Sequence, residues 1–296
     1  GVFSSIFDFK QTILGQKGNG WYSHELPTAE ELKDSIFKAH RRADSIGILS
    51  TIIENHDEPR GVSHYIPEGE VTEISKKALA TVQMLRKGIP FIYQGQEIGM
   101  DNFVRNDISE FDDIASKDQY QRALGEGFSS EEALYFVNKR SRDNSRTPMQ
   151  WDNSKNAGFS KDENSKSWIK LTGSQATTNV ADQINDKDSI FSHYKKMIDL
   201  RQNGKYSDCL TFGDFISVPL ENEKIIAYVR KYGNQKVLCI SNFSELKQEV
   251  KLSEIAKALG EKEIKIGEIL INNFEGLENN GEKVVFEGFQ SLLVEI

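Results

Sequence analysis

The chain has 296 residues, with 37 Lys and Arg against 45 Asp and Glu, a net charge of −8. Hydrophobic residues make up 38% and charged residues 28%, a soluble globular balance, and the length suits about two domains around a sizeable core. The acidic balance argues against nucleic acid, no apolar run reaches the ~18 residues of a membrane helix, and two cysteines (Cys209, Cys239) are too few for a disulfide scaffold or a Cys-rich zinc site.

The chain opens with no initiator Met and no signal-peptide pattern, as if entering in mid-strand, and is expected to belong to a longer protein. Residues 2–9 are apolar and aromatic with period-2 character and predict a strand. A Gly-rich turn (Gly15, Gly18, Gly20) leads to Thr28 and Glu31, a capping box in which the Thr hydroxyl bonds a free first-turn amide and the Glu reaches back. Leu32, Ile36, Ala39 and Ala43 share one face of the following helix, and Gly47 marks its end. Residues 48–53, rich in β-branched side chains, predict a buried strand running into polar Glu54, Asn55, His56 and Asp57. Thr72 caps a second helix with Ala78, Val82 and Leu85 on its face and Gly88 as its stop, and residues 89–93 form another strand. Strand, helix, strand, helix, strand points to parallel βα units.

Residues 101–165 break the pattern. They are polar, rich in Asp and Asn, and hold one short helix with Ser129 and Glu132 as its capping box; an excursion of that length is functional or disordered. An amphipathic helix follows over 189–202 through Ile190, Tyr194, Ile198 and Arg201, with Gly204 as its stop. Beyond about residue 205 the helical period mostly fades. Residues 225–230 and 236–241 flank Tyr232, Gly233 and Asn234 as a hairpin, 284–286 and 291–296 add strands, and 252–259 is the one short helix of a small antiparallel β domain.

Two stretches carry chemistry. Residues 53–60 put His56, Asp57 and Arg60 at the C-terminal end of a buried strand, where ligands bind in parallel βα architectures. Asp57 suits a functional carboxylate, His56 a hydrogen-bond donor to a neutral polar substrate, and Arg60 a clamp on carboxylates. A solvated turn with ordinary charges accounts for the pattern equally well. In residues 141–151, Arg142, Asn144, Arg146, Gln150 and Trp151 suit carbohydrate through bidentate arginines and a flat aromatic face. Taken alone, this stretch reads first as a structural loop turned by Pro148, since loops of this composition are common.

Three ordered blocks then agree in spacing with one family. Asn55-His56-Asp57 resembles the seventh-strand signature of the α-amylase family, glycoside hydrolase family 13; residues 88–99 resemble its eighth-strand signature; residues 142–151 resemble a block typical of its oligo-1,6-glucosidase, dextran glucosidase and sucrose isomerase group. The resemblance covers nearly the whole chain. It implies α/β plus all-β architecture: the C-terminal portion of a (β/α)8 barrel over 1–204, with an inserted loop region at about 101–165, followed by an antiparallel β-sandwich domain over 205–296. It implies that Asp57 is the third catalytic carboxylate, bonding sugar hydroxyls and stabilising an oxocarbenium-like transition state. His56 would bond the same sugar, Arg142 would close the end of the glucose pocket, and Asn55 and Arg60 would support them. It implies a short oligosaccharide substrate with α-1,6 linkages slightly favoured, no cofactor, no metal, no nucleic-acid or membrane partner, and a cytoplasmic setting.

A retaining glycosidase also needs a nucleophile and an acid about 5–5.5 Å apart. In the family these lie in a Gly-Phe-Arg-x-Asp motif and on the next strand. No such motif occurs here, Gly267-Glu268 reads as surface, and family order puts both groups ahead of Gly1, with 1–9 resembling the sixth strand. The isolated chain is therefore expected to be inactive, and an incomplete barrel with open sheet edges to be unstable, although the β domain is expected to fold alone. Sucrose isomerisation or trehalose-6-phosphate hydrolysis are alternatives on the same site; a non-catalytic relative acting as a binding subunit is an alternative of another class.

The chain departs from the resemblance at Ala115, where relatives often carry a Glu that shapes the second sugar's site, and at Ser145, where an Ala is usual and the change reads as minor. Asp107, Glu110, Asp112 and Asp113 lack calcium-loop spacing and read as a solvated acidic face. His24, His40, His64 and His193 lack metal-ligand spacing. Phe91, Ile92 and Tyr93 read as barrel core rather than a sugar platform; Trp21 and Trp168 could pack on sugar but read first as core or interface packing; Cys239 reads as a small hydrophobe.

Overall fold

The structure is a computed structural model and describes residues 4–44 and 47–296. The first half builds the parallel units that the alternating pattern predicts. Strands β1 (Ser5–Phe7), β2 (Ile48–Thr51) and β3 (Ile89–Pro90) form a parallel sheet in that order, with Ile6 opposite Leu49 and Ser50 opposite Ile89. Helix α1 (Ala29–Ala43) links β1 to β2; α2 (Gly61–Tyr65) and α3 (Glu73–Met84) link β2 to β3. The caps on Thr28 and Thr72 form as expected, with Glu31 and Ser75 reaching back. The apolar faces expected of α1 and α3 are buried.

The strands are shorter than expected. Residues 1–3 of the first expected strand lie outside the described residues; of the rest only Ser5–Phe7 pairs, because Asp8 caps a 3-10 turn at Phe9–Gln11. Gly88 is not the stop of α3. That helix ends at Met84, and Gly88 sits at φ +122° where an added Cβ would stand 2.1 Å from the Leu49 carbonyl oxygen, so its work is to let β3 approach β2. Phe91, expected in the core, is 45% exposed; it meets Phe7 edge-on at 4.9 Å, and Ile48 and Ile89 beside it are exposed too.

The excursion after β3 contains two helices, not one: α4 (Ile114–Gly125) and α5 (Ser130–Arg140). The first has a faint period, since Ala123 is its only fully buried apolar side chain. Its start is set by Asp113, whose carboxylate accepts from the Ala115 and Ser116 amides. Tyr22, Phe128 and Phe136 fill the space beneath α5.

Helices α6 (Val180–Gln183), α7 (Ile190–Gln202) and α8 (Ser207–Thr211) lead to the β-rich part. There β4 (Asp214–Ser217), β5 (Ile225–Tyr232), β6 (Gln235–Asn242), β7 (Gln248–Lys251), α9 (Leu252–Leu259), β8 (Ile269–Asn272), β9 (Glu278–Asn279), β10 (Lys283–Phe286) and β11 (Ser291–Glu295) form two antiparallel sheets, ordered β4-β5-β6-β11-β8 and β7-β10-β9. The expected hairpin closes on a two-residue loop with Tyr232 opposite Gln235. Val229, Leu238 and Val294 of the larger sheet pack with Val250, Val284 and Phe286 of the smaller into one sandwich core, while Tyr228, Cys239 and Leu293 belong to the core shared with α1, α3 and α7.

Candidate active site

The site is a turn at the C-terminal end of β2, braced from below and clamped from above. The brace is Glu54 with Arg60. Both side chains are buried, Arg60 Nη1 donates to Glu54 Oε1 at 2.9 Å, and Gly61 N donates to Glu54 Oε2 at 2.6 Å. The same Nη1 reaches the Gln94 carbonyl at 2.7 Å, Nη2 lies 3.5 Å from the Ser145 carbonyl, and the guanidinium stands 5.4 Å from the Tyr93 ring centroid. Arg60 thus fastens the β2 turn to the segment after β3 and to the 141–151 loop. Ser145 is a hub: its hydroxyl donates to the Glu58 carbonyl, and its carbonyl also accepts from Tyr93 Oη at 3.1 Å.

Between brace and clamp the chain reverses through Asn55, whose Oδ1 accepts from the Asp57 amide at 2.7 Å. This lifts His56 and Asp57 out of the fold, the Asp57 side chain being 51% exposed. Asp57 Oδ1 accepts from Arg146 Nη2 at 2.7 Å and from Arg142 Nη1 at 3.3 Å; Oδ2 lies 3.2 Å from His56 Nε2. Arg146 Nε also donates to the His56 carbonyl at 2.8 Å. With both arginines on Oδ1, Oδ2 and the His56 ring are the groups left for a ligand hydroxyl.

Arg142 is itself held. Its Nε and Nη2 donate to Asp113 Oδ1 at 2.8 and 2.7 Å. Burial alone would push the Asp113 carboxyl up; hydrogen bonds from Arg142 and Ser116 hold it below the ordinary carboxylate range instead. The bond to Asp113 and the lesser one to Asp57 raise the Arg142 guanidinium in turn. Asp143, fully buried behind them, accepts from the Asp112 and Asp113 amides.

The structure therefore brings Asn55, His56, Asp57 and Arg142 together, and puts Arg60 beneath them rather than among them. Three residues take roles that the sequence does not assign them. Arg146 lies four places after Arg142 in the same block, and Glu54 sits one place before Asn55. Asp113 was read as part of a solvated acidic face; it is buried and paired, because it caps α4 and faces Arg142. Its neighbours are also engaged: Asp107 caps a 3-10 turn, Glu110 pairs with Lys170, and Asp112 accepts from Trp168.

Residues 3–208 match the family model for the α-amylase catalytic domain, and residues 225–293 match that for the C-terminal domain of the α-amylase SusG. The chain is 32% identical to an oligo-1,6-glucosidase of Bacillus cereus over 98% of its own length and 50% of the relative's. It is 36% identical to a trehalose-6-phosphate hydrolase of Bacillus subtilis, over 76% of this chain and 39% of that one. Among solved structures, an isomaltulose synthase of Klebsiella sp. LX3 superposes with a TM-score of 0.86 at 29% identity, covering 99% of this chain and 51% of that one. The chain spans about half the length of the curated relatives it matches. Its three parallel strands with their helices, its two-sheet sandwich and these matches agree: the chain belongs to the α-amylase family, glycoside hydrolase family 13, as part of a (β/α)8 barrel followed by an antiparallel β-sandwich domain.

Proposed function

We propose that this chain supplies the substrate-gripping part of a retaining α-glucosidase acting on short α-glucosides, with α-1,6 linkages slightly favoured. One observation carries the reading: Asp57 stands exposed at a strand's C-terminal end with one oxygen held by Arg142 and Arg146 and the other beside His56. A carboxylate fixed on one side is preorganised to take sugar hydroxyls on the other, and its charge opposes the positive charge that develops at the anomeric carbon. His56 bonds the same sugar, Arg142 closes the pocket, and Asn55 and Arg60 hold the turn. The oligo-1,6-glucosidase relatives support the linkage, and the family resemblance supports a cytoplasmic setting. The exposed apolar residues Phe7, Ile48, Ile89 and Phe91 support completion of the sheet by further barrel strands.

The test is glucose release from isomaltose, maltose and sucrose by the protein in the length its gene encodes. Asp57→Asn is expected to lower kcat by at least about a hundredfold, the size of loss seen when one preorganised electrostatic group is removed. Unchanged kcat in that variant overturns the assignment. Residues 1–296 alone are expected to release no glucose. The isomaltulose synthase and trehalulose synthase structures that superpose on the chain favour a second reading, isomerisation of sucrose. Isomaltulose or trehalulose as product, instead of glucose and fructose, would establish it.

A further inference from the structure

Trp168 lies outside the core, 70% exposed. Its indole is fixed at one edge: Nε1 donates to Asp112 Oδ2 at 2.8 Å. Two residues on, Lys170 Nζ donates to Glu110 Oε2 at 2.7 Å and stands 5.6 Å from the Phe103 ring centroid. Ile169 between them is buried. The segment is therefore tied down on both sides of an anchored residue while the ring faces outward. Asp112 precedes Asp113, the carboxylate that holds Arg142 against Asp57, so the indole and the clamp hang on neighbouring residues of one stretch.

An indole held by its N–H keeps its flat apolar faces presented, and a pyranose ring offers an apolar face with a rim of hydroxyls. Stacking takes the face, and Asp112 Oδ1 can accept from the rim. Ala115, exposed in the first turn of α4, adds no side-chain donor or acceptor. Recognition on this flank then falls to the aromatic face rather than to a hydrogen bond that specifies one linkage. We propose that Trp168, positioned by Asp112, is a stacking platform for the third glucosyl unit counted from the one gripped at Asp57, and that it favours α-glucosides of three or more units. The proposal rests on the α-glucosidase reading.

The test compares isomaltose with isomaltotetraose on the protein in the length its gene encodes. Trp168→Ala is expected to lower kcat/KM for the tetrasaccharide about two- to tenfold through KM, the range an aromatic contact supplies. The same variant is expected to leave isomaltose within twofold and the thermal midpoint in place. Trp168→Phe, which keeps a flat face, is expected to recover part of the loss. Equal losses on both substrates, no loss on either, or a lowered midpoint with uniform loss would overturn the platform while leaving the α-glucosidase reading intact. A wild-type protein that hydrolyses neither substrate would overturn both.

Discussion

Arg60 touches no ligand-facing group, yet Asp57 depends on it. Its guanidinium is wholly buried and meets one carboxylate, Glu54, together with carbonyls from two other segments. Breaking a buried ion pair from one side leaves a desolvated charge and costs about 3–5 kcal/mol. Glu54→Gln, which keeps the shape and removes the charge, is expected to lose that much in urea denaturation; an unchanged midpoint would show that the charge on Glu54 does not hold the turn. Asp113 allows cap and clamp to be separated. Both Asp113→Asn and Asp113→Ala lose the ion pair to Arg142, but Asn is as good a helix cap as Asp, so Asp113→Ala is expected to cost about 1 kcal/mol more than Asp113→Asn for the lost cap. Both variants free Arg142 and are expected to raise KM for a disaccharide; a raised KM in Ala alone would mean that α4, not Arg142, sets binding. Asn55, His56, Asp57 and Arg142 were legible in the sequence because they sit in contiguous blocks whose side chains name their own chemistry. The clamp roles of Arg146 and Asp113 are not legible, because a partner 89 or 29 places away is chosen by the fold and leaves no periodic trace; Glu54, with its partner six places on, reads only as a polar residue at a strand end.

At the scale of elements, capping boxes were the most legible signal, since each is closed within four residues. Strand ends and α4 were the least: β3 starts where Gly88 lets it meet β2, and α4 offers little apolar face to read. Of three buried histidines without metal-ligand spacing, two join elements and the third packs on its neighbour within α2. His40 of α1 stacks on Phe215 of β4 with ring centroids 3.8 Å apart, His193 of α7 bonds Thr81 of α3 at 2.8 Å, and His64 of α2 lies against Tyr65. Burial first, then nearby cations, lowers them to about 2, about 3 and about 4 respectively, from 6.5. Because the folded values lie below the unfolded one, the unfolded chain binds more protons as pH falls below 6.5. Stability is therefore full above that value and lost as pH drops from 6.5 towards 4, by up to about 1.4 kcal/mol per pH unit for each histidine. Urea midpoints at pH 7, 6 and 5 are expected to fall in that order, and His193→Asn to shallow the slope by about a third. A flat profile would mean that these rings protonate in place.

For the whole molecule, the question is how much each part stands on the other. Helix α3 ends without a left-handed cap, and its last carbonyls are met from outside: Val82 by Tyr228 Oη at 3.0 Å, Met84 by Arg201 at 3.1 Å, Leu85 by Arg230 at 3.0 Å. Two of those three donors come from β5 in the sandwich. The other Arg230 bonds go to the Leu210 and Gly213 carbonyls, so this one side chain knits α3, α8 and β5. The sheet face around it carries Ile226, Tyr228, Cys239 and Leu293, which share a core with α3 and α7. The expectation that the β domain folds alone reckons with the sandwich core and leaves out this second face. In the intact chain, Arg230→Met leaves buried carbonyls unpaired at about 1–3 kcal/mol apiece and is expected to lower the denaturation midpoint without changing the oligomeric state. Residues 205–296 expressed alone expose the whole face to water, and a contiguous apolar patch of that kind drives association. Light scattering is expected to show oligomers of 205–296 and dye binding to exposed apolar surface. A cooperative monomer would show instead that the sandwich core suffices, and that the arginine and tyrosine bonds serve to place α3, and with it the turn bearing Asp57, rather than to keep the β domain folded.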